Sequence, residues 1–116
     1  MTPRPDQVKA GRVKLTVHNQ GTITHEMVLV RAPSSAALPR VTTATADRAV
    51  GDVDEEAIPE ADKMGETSDV KPGHTVVKSF ELTPGTYVMF CNIDNSSAAG
   101  VLNHFTHGMS ASLTVA

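Results

Sequence analysis

The sequence predicts an all-β sandwich, and three observations lead there. Short segments alternate apolar and polar residues with a period of two. Gly- and Pro-containing turns separate them, and no long stretch shows helical periodicity. The 116 residues suffice for one domain, so residues 1–116 are read as a single unit.

The strands are predicted in order. Residues 12–18 place Val13, Leu15 and Val17 on one face and Lys14, Thr16 and His18 on the other. Asn19-Gln20-Gly21 supplies turn chemistry. Residues 24–31 are more evenly apolar, which suits a strand covered on both faces. Residues 32–72 break the pattern with Pro33, Pro39 and Pro59, a Ser/Ala/Thr-rich stretch and the acidic run Asp52, Asp54, Glu55, Glu56, Glu60, Asp62. They read as a long insertion off the sandwich with some local order: one helical turn at 54–57 ended by Pro59, or a short edge strand. The acidic run reads as a solvated loop face.

Lys71-Pro72-Gly73 is the next turn signal, and residues 74–82 form a strand with Val76, Phe80 and Leu82 on one face. Thr83-Pro84-Gly85 turns the chain into 86–91, a run of β-favouring residues. A polar, small-residue loop is expected from Asn92 to Gly100. Ala111, Leu113 and Val115 then alternate with Ser and Thr in a closing strand.

Composition excludes several classes. The hydrophobic fraction of 40% and charged fraction of 20% are those of an ordinary globular chain. No run approaches the ~18 apolar residues of a membrane span. A net charge of −3 with no basic block gives no reason to expect nucleic-acid binding. The opening Met1-Thr2-Pro3-Arg4-Pro5 has no apolar core and does not read as a signal peptide. One cysteine rules out an internal disulfide; beside five histidines and five methionines it points to a metal site or a nucleophile.

The informative segment is Tyr87 to Met109, where Cys91, His104 and Met109 follow one another across a strand–loop–strand junction. His25 lies upstream at the start of an apolar strand. Thiolate and thioether sulfur favour Cu(I), and imidazole suits both copper states. Two His and one Cys with a weak axial Met are the donors of an electron-transfer copper site, whereas Met is a poor ligand for zinc. Each residue alone has a blander reading. Cys91 could be a buried thiol, His25 a hydrogen-bonded strand-edge histidine and Met109 a packing residue; it is their combination that favours a metal. His18 and His74 read as surface residues, and Met27, Met64 and Met89 as packing.

The same residues carry a resemblance to the cupredoxin family of plastocyanin- and azurin-like blue copper proteins. The similar pieces are Asn19-x-Gly21 followed by His25, Gly85-Thr86-Tyr87 leading into Cys91, then His104, Gly108-Met109 and the terminal Leu113-Thr114-Val115. The resemblance spans most of the chain outside residues 32–70. It implies a Greek-key β-sandwich with one mononuclear type 1 copper held by His25, Cys91, His104 and Met109. It implies an electron carrier and not an enzyme, exchanging electrons with redox partner proteins such as cytochromes or copper oxidoreductases. It further implies a monomer in a periplasmic, secreted or membrane-anchored setting, with any anchor outside this chain. Phe90 and Asn92 flank Cys91, where copper oxidases carry histidines beside that cysteine.

Three features depart from the family pattern. The 92–103 ligand loop is longer than usual, Glu26 stands where an Asn often follows the first His, and His107 competes with His104. Four residues separate His104 from Met109, a spacing the family uses; one separates His107 from Met109, which would force a tight chelate. Alternative readings are a copper carrier or sensor that binds and releases the ion, a more open site with Glu26 or Glu66 replacing Met109, and a metal-free interaction module.

If His104 is the ligand, His104→Ala should cost far more of the copper-dependent visible absorption than His107→Ala. Equal losses, or the reverse order, would reassign the position.

Overall fold

A computed structural model of the chain describes residues 7–20, 23–43, 45, 50–67, 69–91, 94–97, 100–103 and 110–116, with backbone only at 94–97 and 100–103. The strands are β1 (Gln7–Val8), β2 (Gly11–His18), β3 (Val28–Arg31), β4 (Lys63–Glu66), β5 (Thr75–Leu82), β6 (Gly85–Phe90), β7 (Asp94–Ser97), β8 (Gly100–Asn103) and β9 (Ser110–Val115). Five of them form one sheet in the order β1-β9-β6-β3-β4. The β1–β9 pair is parallel and its other pairs are antiparallel. β2 and β5 pair antiparallel over their full length in a second sheet.

The period-two strands behave as their patterns require. Val13, Leu15 and Val17 of β2 and Phe80 and Leu82 of β5 face the larger sheet, where Met27, Leu29, Tyr87, Met89, Leu113 and Val115 meet them. The register sets Val13 opposite Phe80 and Val17 opposite Val76. The predicted Lys71-Pro72-Gly73 turn closes with His74 N–H on the Lys71 carbonyl, and Gly73 takes the positive φ of 77° that follows Pro in such a turn.

Three expectations are corrected. The strand predicted over 24–31 is limited to Val28–Arg31, and His25 instead makes an isolated bridge to Val70. The stretch at 92–100 contains β7, which pairs with β8 from Asp94 opposite Asn103 to Ser97 opposite Gly100. The described residues of the 32–72 segment do not all lie off the sandwich. Leu38, Val53 and Ile58 lie in a second apolar cluster with Val28, Val30, Ala32, Val88 and Phe90, covering the outer face of β3 and β6.

That cover explains why Val28–Val30 of β3 and Tyr87–Phe90 of β6 are apolar on both faces, since all of these residues are buried. The cover includes short 3-10 turns at Ser35–Ala37, Glu55–Ala57 and Glu60–Asp62, followed by the edge strand β4. The acidic run is only partly solvated: Glu56 and Glu60 are exposed, whereas Asp52 is buried. A bulge lies between Leu29 and Val30 in the β3–β4 pairing. Gly65, at φ 140°, sits beside it, where an added Cβ would come within 3.2 Å of the Phe80 ring.

Ile58→Ala is expected to lower stability by about 2–4 kcal/mol in urea unfolding, as a buried aliphatic truncation does. Val77→Ala, on the exposed face of β5, should change it by less than about 0.5 kcal/mol. A cost at Ile58 as small as that at Val77 would show that the 32–62 segment does not seal the sheet.

Candidate metal centre

Antiparallel pairing brings the start of β3 to the end of β6. The register sets Val28 opposite Phe90, so the residues just before Val28 and just after Phe90 share one end of the sandwich. His25 and Cys91 are therefore neighbouring parts of the fold, although Cys91 lies 65 positions beyond Glu26 in the chain. β9 starts at the same end, with Ser110 opposite Phe90. His104, His107 and Met109 lie outside the described residues.

Cys91 is fully buried. Its Sγ accepts a hydrogen bond from the Glu26 backbone N–H at 3.5 Å. An amide aimed at sulfur favours the anionic thiolate, which is the metal-binding form. The donor belongs to the backbone, so having Glu26 where an Asn often stands leaves this contact in place.

His25 is half-buried. Its N–H donates to the Val70 carbonyl at 3.0 Å, and the Val70 N–H donates back at 2.6 Å. Burial lowers the His25 imidazole below its ordinary value of 6.5, because desolvation disfavours the cation. The neutral ring is the form that ligates a metal. Asn19 and Thr67 brace this segment from the interior. The Asn19 carboxamide donates to the carbonyls of Ile23 (2.7 Å) and Val70 (2.8 Å). Thr67 Oγ1 accepts the Met27 N–H at 3.0 Å.

Among the described residues, no group of three or more His, Cys, Asp or Glu side chains could hold a metal ion. The two predicted ligands that are described suit copper by their chemistry: a buried sulfur with an amide directed at it and an imidazole biased to neutrality. Glu66 is exposed on edge strand β4, opposite Val28. His18 and His74 are exposed, as expected, while Met27 and Met89 are core residues and Met64 packs against them. The bracing role of Thr67 left no signal in the sequence, since the residue falls in the aperiodic 32–72 stretch. Asn19 was legible only as a turn residue and as part of the family resemblance.

The arrangement of strands is the cupredoxin β-sandwich. Auracyanin B shares it with a TM-score of 0.63 and 24% sequence identity, over 95% of this chain and 75% of that one. A dithionite-reduced auracyanin from the photosynthetic bacterium Roseiflexus castenholzii matches with a TM-score of 0.57 and 22% identity, over 95% of this chain and 82% of its own. At this level of identity the likeness shows the fold. No family model and no curated protein matches the chain.

The His25 shift has a consequence for pH. The unfolded chain takes up this proton at the ordinary value, and the folded chain resists it. Stability contributed by neutral His25 is therefore present above 6.5 and lost as pH falls below it. Metal-free protein should lose stability between about pH 7 and about pH 5.5, and His25→Gln should lose less. Urea unfolding of both proteins at the two pH values checks this, and equal losses would remove His25 from the linkage.

Proposed function

We propose that the chain is a type 1 copper protein that carries single electrons between redox partners, with copper held by His25, Cys91, His104 and Met109. The observation that carries the reading is the buried Cys91 sulfur with the Glu26 N–H directed at it, at the end of the sandwich where the His25 segment begins. The fold supports it, because the chain shares the cupredoxin β-sandwich with two auracyanins, one of which was solved in a dithionite-reduced form. Chain order supports the remaining ligands, since Met109 directly precedes Ser110, the residue opposite Phe90 in the β6–β9 pair.

When bound, copper supplies a one-electron Cu(I)/Cu(II) couple. The chain contributes a rigid frame. Cys91 directly follows a strand that is covered on both faces and paired on both edges, and the His25 backbone is pinned to Val70. Such a frame suits electron transfer because ligands that barely move between oxidation states add little reorganisation. We place the protein outside the cytoplasm, in the periplasm, secreted or tethered to a membrane by a part outside this chain. We read it as a monomer whose partners are cytochromes or copper oxidoreductases, and not as an enzyme.

One equivalent of Cu(II) should produce a strong visible absorption band in the wild-type protein and none in Cys91→Ser. A band that survives in the variant would exclude Cys91 as the thiolate ligand. A wild-type protein without the band would end the type 1 copper reading.

A further inference from the structure

The backbone around the candidate site alternates in direction. His25 turns its N–H and its carbonyl toward Val70, with both groups bonded. Met27 turns both of its groups toward Thr67: its N–H donates to Thr67 Oγ1 at 3.0 Å, and its carbonyl accepts the Thr67 N–H at 2.9 Å. Successive residues of extended backbone point their amides to opposite sides. With residues 25 and 27 bonded to the 67–70 segment, the Glu26 amide between them faces the other way, where Cys91 Sγ accepts it.

Val70 is itself held. The Val70 carbonyl accepts the Asn19 carboxamide as well as the His25 N–H, and the second carboxamide N–H goes to Ile23. The Asn19 backbone is fixed in turn by the Gly73 N–H and the His74 carbonyl, at the end of the β2–β5 sheet. Asn19 and Thr67 are nearly inaccessible, at 4% and 3% exposure, so water offers a poor substitute for the groups they bond.

We propose that Thr67 and Asn19 are positioning residues for the candidate copper site, holding the His25–Met27 backbone so that the Glu26 N–H is aimed at the Cys91 sulfur. Neither side chain is among the assigned ligands. Both act through the backbone, one from the large sheet's edge connection and the other from the second sheet. The proposal rests on the copper reading for its effect on the metal, but the geometry it describes belongs to the metal-free chain. An N–H on the thiolate draws electron density from sulfur, so weakening it makes sulfur a stronger donor to Cu(II) and lowers the reduction potential.

The test compares Thr67→Val, Thr67→Ser and Asn19→Asp with wild type. Valine keeps the shape of threonine without its oxygen, serine keeps the oxygen, and aspartate turns an acceptor toward two carbonyls. In metal-free protein, Thr67→Val should speed amide hydrogen exchange at Glu26 about tenfold relative to Val88 and Met89, the factor expected for losing one ordinary hydrogen bond. Copper-loaded Thr67→Val should show a lower reduction potential and a shifted visible band, with copper affinity down by roughly 10–100-fold. Thr67→Ser should restore all four readouts toward wild type. Asn19→Asp should move them in the same direction as Thr67→Val, and if it does not fold the Thr67 pair decides.

Wild-type Glu26 exchange and an unchanged potential in Thr67→Val would overturn the proposal. So would an acceleration at Glu26 no greater than at Val88 and Met89, which would mark general loosening. If wild-type protein develops no copper–thiolate band, the copper reading falls and the exchange comparison alone decides whether the bracket exists.

Discussion

Four rungs of the β3–β6 ladder, from Val28 opposite Phe90 to Arg31 opposite Tyr87, set the positions of both apolar clusters and of the candidate site. Side chains alternate along each strand, so this one register sends Leu29, Tyr87 and Met89 into the sandwich and Val28, Val30, Val88 and Phe90 to the outer face. A slip by one residue would exchange the two sets and carry Cys91 away from the Glu26 amide. Both faces are packed, so such a slip would seat each of these side chains against neighbours shaped for another, and overpacking and voids would oppose it.

The same ladder is secured at its far end. Arg31 donates to the Pro84 carbonyl and to the Tyr87 hydroxyl at 3.1 and 3.0 Å, and also bonds the Thr83 hydroxyl. The Tyr87 hydroxyl donates to the Thr83 carbonyl at 2.8 Å, four residues back along the chain. These bonds tie the turn before β6 to the last residue of β3. At the edge, Lys78 of β5 reaches across to the Glu66 carbonyl of β4 at 2.5 Å, with its ammonium 5.7 Å from the centre of the Phe80 ring. One rung of the second sheet, Leu15 opposite Lys78, thus links the two sheets through a long polar side chain whose stem covers apolar surface.

The frame accounts for how a site of few residues can be held firmly. Cys91 extends a strand with neighbours on both sides, and His25 is bonded through its own backbone to Val70. Asn19 links that bridge to the second sheet. The site end is therefore a meeting of several chain segments, each fixed by main-chain hydrogen bonds that do not depend on neighbouring surface side chains.

Much of this was legible from local pattern. The inward faces of β2 and β5, the strand leading to Cys91, the closing strand and the turn at 71–73 follow from period-two alternation and from the backbone preferences of Pro and Gly. The order of His25, Cys91, His104 and Met109 suggested a metal site; on the described residues the fold brings His25 and Cys91 to one end, and His104 and Met109 lie outside those residues. Other features had no local signature. Leu38, Val53 and Ile58 belong to no periodic pattern, so their role as the outer cover appears only where β3 and β6 present an apolar face to them. Asp94-Asn95-Ser96-Ser97 is poor in β-favouring residues, yet it pairs with 100–103. The bridge from His25 to Val70 and the bond from Thr67 to Met27 join segments about 40 or more positions apart. The sequence by itself determined which face each regular strand buries, because alternation is written in adjacent residues. Only the tertiary structure decided which distant amides meet, because backbone hydrogen-bonding groups are nearly the same in every residue and select their partners by register.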